Sequence, residues 1–458
     1  MEAYAPPLRT WSLLFAAVGA LALGCGDSAS SGGSGGTGGS GGMAGTGGSA
    51  GTGGAAGTGG AAGTGGSGTI FAFDDFQNAA VVVGQPDFQG TAPDQGGAAG
   101  PNTLQNPFGS PFVVDGRLFV ADSGNHRVLA FDALPTVNDT SADFVLGQPD
   151  FKTTTANLTR GGMNRPWSVA AGNGKMVVAD YGNDRVLIYN VIPTDGSALP
   201  DTVVGQADFE TIGEGCTADR LAGPASASVT PGGKLIVTDS SHNRVLVWDA
   251  VPTTNGQAAD LVLGQSDMLH CSSNDDNQDE TDDGAPTGRT LHGPLGVWAD
   301  DSRMVVADYV NHRVLIWTNF PTESFQPADL VLGQSDFSRN VRNDDDQNGA
   351  QDAGPTARTM NFPAFAHSNG AQLVVTDSSN HRTLIWNSFP TMSFQPADNV
   401  LGQSSFTNNA FDDDNQDGVP DANPSARTQR LPGGAASYQD KLLATGPGNN
   451  RLLIYQSK

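Results

Sequence analysis

The chain has 458 residues, 61 of them glycine, and its 48 acidic and 23 basic side chains give a formal net charge of -25. Nucleic-acid phosphates require clustered Lys and Arg, so this balance excludes nucleic acid as a partner and favours cations or basic partners. Hydrophobic residues make up only 37% of the chain because glycine is concentrated in one early stretch, and the remainder can still bury a core.

The first 24 residues are predicted to be an export signal. Arg9 precedes an apolar run over residues 11–23, which is too short to span a bilayer. The run ends in LALGC (residues 21–25), which resembles a lipoprotein processing box, so that cleavage would leave Cys25 as the lipidated N-terminus. The usual box prefers Leu where Ala22 stands, and an ordinary secretory signal is the alternative.

Residues 25–68 are predicted to be a disordered linker that begins at the lipidated Cys25. They consist almost wholly of Gly, Ser, Thr and Ala, as in the repeated AAGTGG, and cannot bury enough apolar surface to offset the entropy of ordering. Gly26 follows the cysteine, where an Asp would suggest retention in the inner membrane. The sequence therefore favours a cell-envelope protein at the outer membrane or cell surface and leaves the inner membrane open.

From Thr69 to Lys458 the chain repeats one unit six times. A Gly-Gln pair follows an apolar run in each unit, and its glycines are Gly84, Gly147, Gly205, Gly264, Gly333 and Gly402. Each unit contains four short pieces rich in β-branched and aromatic residues, separated by Gly, Pro, Asn or Asp, and none has helical periodicity. Four strands in each of six units predict an all-β, six-bladed β-propeller of four-stranded blades over residues 69–458.

The unit resembles the NHL repeat, and the resemblance covers essentially all of residues 69–458. The resemblance lies in a VAD or VTD at the end of the second strand, a turn, and two positions rich in Asn and His that are followed by Arg. The resemblance implies a disc around a central channel, usually a binding platform. The sixth unit has Gly446 in place of the Asp, followed by Arg451. The five complete pairs are Asp122 with Arg127, Asp180 with Arg185, Asp239 with Arg244, Asp308 with Arg313, and Asp377 with Arg382.

These repeated Asp and Arg residues are interpreted as a structural clasp. A catalytic set should occur once, whereas this set recurs with the blade, so charge-assisted hydrogen bonds between neighbouring strands explain it better. His270, His292 and His367 lie outside this pattern, and each is expected to be a solvated or hydrogen-bonded histidine. Trp248, Trp317 and Trp386 occupy equivalent strand positions and are expected to pack between blades.

The two ends of the repeat region are predicted to meet. The chain stops after LLIYQSK, which leaves the sixth blade without its outer strand, and VVVGQ near Val81 can supply that strand and close the ring. The segment TIFAFDD from Thr69 then looks like a surplus third strand. It either caps the seam or competes with residues 451–455 for one position.

Three acidic inserts lie between the Gly-Gln strand and the next blade in the last three units. Oxygen donors at every second position, with Gly at the turn, can converge on one hard cation, and the pattern resembles thrombospondin type-3 calcium loops. Pro at the twelfth position excludes EF-hands, the first insert has Glu280 in place of the Gly, and a solvated acidic insert is the alternative. The expected calcium ligands are Asp275, Asn277, Asp279 and Asp283; Asp344, Asp346, Asn348 and Asp352; and Asp413, Asn415, Asp417 and Asp421.

Cys216 and Cys271 lie in this same connection of two consecutive units. Export to an oxidising compartment permits a disulfide between adjacent blades, and two free thiols are the alternative.

The function expected from the sequence is a non-enzymatic binding or scaffolding propeller of the cell envelope, with a protein or glycan as ligand and calcium in its loops. The alternative is a propeller enzyme that resembles the amidating-lyase or gluconolactonase groups, which hold a metal in the central channel with unique His, Glu or Asp ligands. No such unrepeated set occurs on the first strands. A purely structural envelope protein is not distinguished from a binding module.

Overall fold

The computed structural model describes residues 69–213 and 215–458, and within them it contains six separate four-stranded antiparallel sheets. The first strand, β1 (Val81–Val83), belongs to the last blade. Blade 1 contains β2 (Phe112–Val114), β3 (Arg117–Asp122), β4 (Arg127–Phe131) and β5 (Phe144–Leu146). Blade 2 contains β6 (Pro166–Gly172), β7 (Lys175–Asp180), β8 (Arg185–Tyr189) and β9 (Thr202–Val204).

The remaining blades repeat this order. Blade 3 contains β10 (Pro224–Val229), β11 (Leu235–Asp239), β12 (Arg244–Trp248) and β13 (Leu261–Leu263). Blade 4 contains β14 (Pro294–Ala299), β15 (Met304–Asp308), β16 (Arg313–Trp317) and β17 (Leu330–Leu332). Blade 5 contains β18 (Pro363–Ser368), β19 (Leu373–Asp377), β20 (Arg382–Trp386) and β21 (Asn399–Leu401). Blade 6 contains β22 (Gly434–Tyr438), β23 (Lys441–Gly446), β24 (Arg451–Gln456) and β1. The predicted six-bladed β-propeller is confirmed.

The Gly-Gln pair ends each outer strand for a steric reason. Gly84 has φ of +90°, and a Cβ there would lie 2.5 Å from the side chain of Leu104. The glutamine that follows is buried and ties the strand end to a turn: Gln334 Nε2 donates to the carbonyls of His312, at 3.3 Å, and Val341, at 2.9 Å. The pair therefore stops the outer strand and fixes the start of the link to the next blade.

The core consists of apolar layers between neighbouring blades. The third strand of every blade has an aromatic residue at its fifth position that is buried in such a layer, and in three blades this residue is tryptophan. In these three blades the indole Nε1 donates to a backbone carbonyl, as from Trp248 to Gln257 at 3.0 Å, so the N–H groups of Trp248, Trp317 and Trp386 are satisfied in the buried layer. The six aromatic residues are Phe131, Tyr189, Trp248, Trp317, Trp386 and Tyr455. The expectation that the three tryptophans pack between blades agrees with these positions.

The ring is closed by the N-terminal strand, as the sequence predicts. β1 pairs antiparallel with β24, and Val81, Val82 and Val83 lie opposite Ile454, Leu453 and Leu452. Val82 is fully buried in the layer that blade 6 forms with blade 5. Hydrogen bonds between the two chain ends therefore complete the last sheet.

The prediction of a surplus strand near Thr69 is wrong. Residues 69–80 form no strand. They lead into the outer strand β1 and correspond to the link that joins the third strand to the outer strand in the other blades. Lys458 at the chain end donates its backbone N–H to Ala72, at 3.0 Å. The segment resembles a third strand in composition, but the third-strand position is already occupied by β24, so it runs over the edge of blade 5 instead.

This outer link covers the exposed edge of the preceding blade. In blade 4, Ser324 Oγ accepts the N–H of Val262 on the outer strand of blade 3, at 3.2 Å, and Phe325 donates its own N–H to the Val262 carbonyl at 2.9 Å. Asp75 and Phe76 do the same for Val400 of blade 5, at 2.9 and 3.0 Å. At both of these edges the backbone groups that could pair with another chain are thus satisfied within the ring.

The two ends of the strands define two faces of the propeller. The turns between second and third strands lie at the same end as the connections between blades, and we call this end the connection face. The turns between first and second strands and the outer links lie at the other end, the opposite face. No helix among the described residues is long and apolar enough to cross a membrane. The export signal, Cys25 and the Gly-rich linker lie outside the described residues.

Candidate functional site

The repeated Asp and Arg form a buried clasp on the connection face. Asp308 accepts hydrogen bonds from Arg313 Nε and Asn311 Nδ2, both at 2.8 Å, and from the backbone N–H of His292 at 2.8 Å. The other guanidinium nitrogens of Arg313 donate to carbonyls of the flanking connections, including Thr290 at 3.0 Å. The clasp therefore joins two strands of one blade to the connections on either side.

The clasp takes both charges out of water. Asp122 and Arg127 are fully buried, 2.7 Å apart, and burial raises the pKa of Asp122 to about 6 although Arg127 favours its ionised form. Burial outweighs the attraction here, so removal of either partner would leave the other charge desolvated and unpaired. Repetition in five blades and complete burial agree with a structural role.

Blade 6 has an incomplete clasp. Arg451 is 1% exposed, burial lowers its pKa, and its guanidinium donates to backbone carbonyls of Phe88 at 2.5 Å and Thr428 at 2.9 Å. Gly446 stands where the other blades have Asp. Asn449 instead donates to Asp412, at 2.7 Å, so the nearest carboxylate comes from the connection and not from the second strand.

The acidic inserts are compact loops that bury their first aspartate. Asp275, Asp344 and Asp413 are at most 1% exposed. Asp344 accepts the backbone N–H groups of Asn348 at 3.0 Å and Gly349 at 2.9 Å, and the first aspartates of the other inserts accept the equivalent groups. These hydrogen bonds wrap the chain around the first carboxylate and point the next donors toward it.

The second insert brings three carboxylates together. One oxygen from each of Asp344, Asp346 and Asp352 lies within 4.8 Å of the others, and Asn348 lies in the same turn. Three like charges at that separation repel one another, and a hard divalent cation with oxygen ligands would relieve the repulsion. The donor set and the loop therefore fit calcium.

The first and third inserts have the same fold around a different third residue. Asn277 and Asn415 occupy the position of Asp346, and their Nδ2 groups donate to Asp283 at 3.0 Å and Asp421 at 3.3 Å. Each insert thus brings the first, third and trailing donors into one turn, together with Asp279 in the first and Asp417 in the third. In the first insert Glu280 adopts φ of +65°, a conformation that glycine adopts at the equivalent Gly349 and Gly418.

A second acid in each insert faces away from this turn. Asp414 accepts from Ser425 Oγ at 2.5 Å and forms an ion pair with Arg427 at 2.9 Å, and Arg427 lies over the ring of Phe76 at 4.6 Å. The same Asp, Arg and Phe arrangement recurs in the other two inserts. These acids hold the base of each insert against an outer link and are not directed at the cation position.

The sequence analysis missed a glutamine that anchors each insert. Gln278 Oε1 accepts the backbone N–H of Ser266 at 2.8 Å, just after the Gly-Gln pair, and its Nε2 donates to the Asp275 carbonyl. Gln347 and Gln416 make the same contacts. The sequence does contain a signal for this role. All three inserts have Gln at the fourth position, between the expected calcium ligands at the third and fifth positions.

Cys216 and Cys271 are joined by a disulfide. Their Cα atoms are 6.3 Å apart, and the bond links the connection before blade 3 to the connection before blade 4, across 55 residues of chain. Cys271 also accepts Asn243 Nδ2 through its backbone carbonyl at 2.9 Å, beside the start of the first insert. The covalent link therefore ties two neighbouring connections together on the connection face.

The histidines outside the repeat have hydrogen-bond partners. His270 Nδ1 lies 2.7 Å from Asp267, and this carboxylate raises the histidine pKa. His367 Nε2 lies 2.8 Å from Ser437 Oγ, between the inner strands of blades 5 and 6, where burial lowers its pKa to about 4. His292 donates its backbone N–H to the clasp. The contacts of His270 and His367 agree with hydrogen-bonded imidazoles, whereas the contact of His292 is made by its backbone alone.

An apolar cluster lies where the inner strands of five blades begin. Phe108 lies 4.5 Å from Trp167 and 5.9 Å from Phe365, measured between ring centroids, and Trp167 stacks on Tyr181 at 3.7 Å. Ala225, Leu295 and Ala364 complete this buried cluster. Side chains from five blades thus meet in a layer that offers packing surface and few metal-binding atoms.

A family model described as the NHL repeat matches residues 221–248. The matched segment covers the first three strands of blade 3, including the clasp of Asp239 with Arg244. The chain is therefore a six-bladed β-propeller that contains an NHL repeat, and blades 1, 2, 4 and 5 repeat the same Asp–Arg clasp. No curated protein matches the chain.

Several solved structures match the chain over most of its length. The WD40 β-propeller domain of Doa1 matches with a TM-score of 0.42 and 9% identity, covering 85% of this chain and 95% of that chain. The computationally designed Ika8 protein matches with 0.34 and 6%, covering 76% and 70%. Virginiamycin B lyase from Staphylococcus aureus matches with 0.36 and 10%, covering 77% and 96%. Identities of 6 to 10% indicate nothing about a shared activity.

Proposed function

We propose that the protein is an exported, lipid-anchored module of the cell envelope that binds a protein or glycan over its connection face and catalyses no reaction. The observation that carries this proposal is the enlargement of one face only: three consecutive connections carry long, well-packed acidic inserts on a ring whose edges are covered. Rigid rings that present loops at one end are suited to recognition. The outer membrane or cell surface is the proposed location, with Cys25 as the anchor.

The apolar cluster where the inner strands begin supports a binding role over the enzymatic alternative. A lyase or lactone hydrolase with a metal in the channel needs nitrogen or oxygen ligands on the inner strands. Where the inner strands begin, Trp167, Leu295 and Phe365 pack into one apolar cluster. The buried His367 on β18 is hydrogen-bonded to Ser437. The densest runs of acidic residues lie in the three inserts of the connection face.

A pair of exposed valines allows the binding face to be tested. Val419 in the third insert is 62% exposed, and Val191 on the opposite face is 74% exposed. A photoreactive diazirine amino acid at either position, in the full-length protein in cells, would label whatever lies against it. We expect a discrete adduct from position 419 and none from position 191.

The anchor provides the control for this experiment. Cys25→Ser is expected to release the protein from membranes and to remove the adduct at position 419. Discrete adducts from position 191 alone would place the partner on the opposite face, and a Cys25→Ser chain that stayed with the membrane would contradict the lipid anchor.

We also propose that the second and third inserts bind calcium as a structural ion, and the first more weakly. Asp344, Asp346 and Asp352 supply three converging carboxylates, with Asn348 in the same turn. In the third insert the equivalent positions are Asp413, Asn415, Asp417 and Asp421. Bound calcium would neutralise the repulsion within each loop and stiffen the connection face. Glu280 at a position that needs φ above zero is the reason to expect weaker binding in the first insert.

Calcium titration of the full-length protein by calorimetry, with melts in calcium and in chelator, tests this proposal. We expect two sites and a raised Tm, since a ligand at a hundred times its Kd stabilises by about 2.7 kcal/mol per site. Asp352→Ala, which removes the trailing carboxylate that all three inserts share, should remove one site, whereas Asp336→Ala, an equal loss of charge in the same connection, should remove none. Absence of both heat and a shift in Tm would leave the inserts as solvated acidic loops.

A further inference from the structure

Six equivalent residues join each blade to the next on the connection face. Each follows the turn after the second strand, has a left-handed backbone conformation with φ between 51° and 56°, and accepts a hydrogen bond from a backbone N–H just before the inner strand of the next blade. In blade 4, His312 Nδ1 accepts the N–H of Phe362 at 3.0 Å. The six residues are His126, Asp184, Asn243, His312, His381 and Asn450.

The acceptor atom differs among these junctions. His126 and His381 accept through Nδ1 at 2.9 and 3.1 Å, like His312. At the other three junctions a carboxylate or amide oxygen accepts, as from Asn243 to the N–H of Gly293 at 2.9 Å. An imidazole Nδ1 can accept only when it carries no proton, whereas an asparagine oxygen accepts at every pH.

The surroundings of the histidines oppose protonation in the closed ring. Burial is the largest influence and lowers the pKa of His312 and His381 to about 3, and it also lowers the pKa of His126. The charged and titratable groups that face them add positive charge: Arg165 at His126, Arg342 and His292 at His312, and Arg430 at His381. An opened junction would expose the ring to water, where its pKa returns to about 6.5.

We propose that three of the six blade junctions are proton-sensitive latches, which mild acid loosens while the other three stay closed. The sensitive junctions are those from blade 1 to 2, from 4 to 5 and from 5 to 6. Protonation stabilises the open form of a junction relative to the closed form. The contribution of each histidine to the stability of its junction is therefore complete above about pH 6.5 and is lost progressively as the pH falls toward 3. The connection face is thereby made pH-dependent at fixed places.

Hydrogen exchange resolved to single amides in the full-length protein tests the latches. The amides of Phe362 and Leu431 report on two of them, and those of Gly223 and Gly293 serve as references at junctions without histidine. From pH 7.5 to pH 5, after correction for intrinsic exchange, we expect protection of the first two to fall about 30-fold more than that of the references, the ratio given by pKa values of about 6.5 and 3. Equal changes at all four amides would overturn the proposal.

Asparagine supplies the matched variants, because it already occupies the same position at two junctions. His312→Asn and His381→Asn preserve an acceptor and cannot titrate, so the excess loss of protection at pH 5 should disappear in the double variant. Retention of that excess would show that other groups cause it and would refute the latch. Any uniform change in stability at pH 7.5 leaves this comparison of two pH values intact.

Discussion

Val82→Asp is expected to destabilise the protein by about 4 kcal/mol or more and to open the ring at blade 6. Val82 is fully buried, pairs with Leu453 and fills the apolar layer between blades 5 and 6, so the variant would bury an unpaired carboxylate there. Denaturant unfolding monitored by tryptophan fluorescence gives the loss of stability, and limited proteolysis detects a released N-terminal strand.

Ile70→Asp provides the control for the same segment. Ile70 is 60% exposed, so the same chemical change should alter stability by no more than about 0.5 kcal/mol. Deletion of residues 69–83 should exceed the effect of Val82→Asp, because it removes both the outer strand of blade 6 and the cover on blade 5. Equal stability of Val82→Asp and the unaltered protein would contradict ring closure by β1.

Asp308→Gly is expected to cost about 3–5 kcal/mol, because it leaves Arg313 buried without its carboxylate. The variant gives blade 4 the glycine that blade 6 has at this position. Blade 4 has no equivalent of Asp412, the acid of the connection that lies near the buried arginine of blade 6. The free energy of unfolding, from denaturant titration at pH 7, measures the effect. A loss below about 1 kcal/mol would mean that the backbone carbonyls alone satisfy the guanidinium.

The reciprocal change, Gly446→Asp, is expected to stabilise the protein. A Cβ at Gly446 would meet its nearest neighbour, the Arg451 carbonyl oxygen, at 3.7 Å, an ordinary contact, and the backbone φ of -129° suits any residue. The new carboxylate would lie where the other five blades hold theirs. We expect a gain of about 1–3 kcal/mol from the charged hydrogen bonds, and a loss would show that blade 6 has adapted to the glycine.

The repeat made the architecture predictable from the sequence. Each Gly-Gln pair and each Asp with its Arg marks one blade, because positive φ at the glycine and burial of the ion pair leave few other residues acceptable. Closure by residues 81–83 followed from counting strands. These features are set by backbone geometry and buried charge, which restrict residue choice strongly enough to be visible in one sequence.

The contacts between blades could not be predicted in the same way. The covers on the outer strands use Asn138, Asn255, Ser324, Ser393 and Asp75, side chains that share only an oxygen acceptor. Likewise, the junction residues include His, Asp and Asn. Where several residue types perform one task, the repeat loses its visible pattern, and residues 69–80 were mistaken for a strand because the role of the cover was unknown.

The inserts show a similar division. Donor spacing indicated the converging carboxylates of the second insert, but the anchoring role of Gln347 and the outward role of Asp345 depend on which way each side chain leaves the loop. The end of the Gly-Gln strand fixes the direction of Gln347, and Arg358 fixes that of Asp345. Both partners lie outside the insert in the sequence but next to it in the structure.

The outer links also bear on how such a ring can be assembled by duplication. Each unit consists of an outer strand and the first three strands of the next blade. Its outer strand completes one blade, and the link before that strand covers the edge of another blade. Every added copy therefore meets the same kinds of hydrogen-bonding partner, whatever the total number of blades. Hydrogen bonding therefore does not determine that the ring has six blades. Trp317 and Tyr455 are buried in the apolar layers between blades. We infer that the bulk of the aromatic and branched side chains in these layers sets the angle between neighbouring blades, and with it the number of blades.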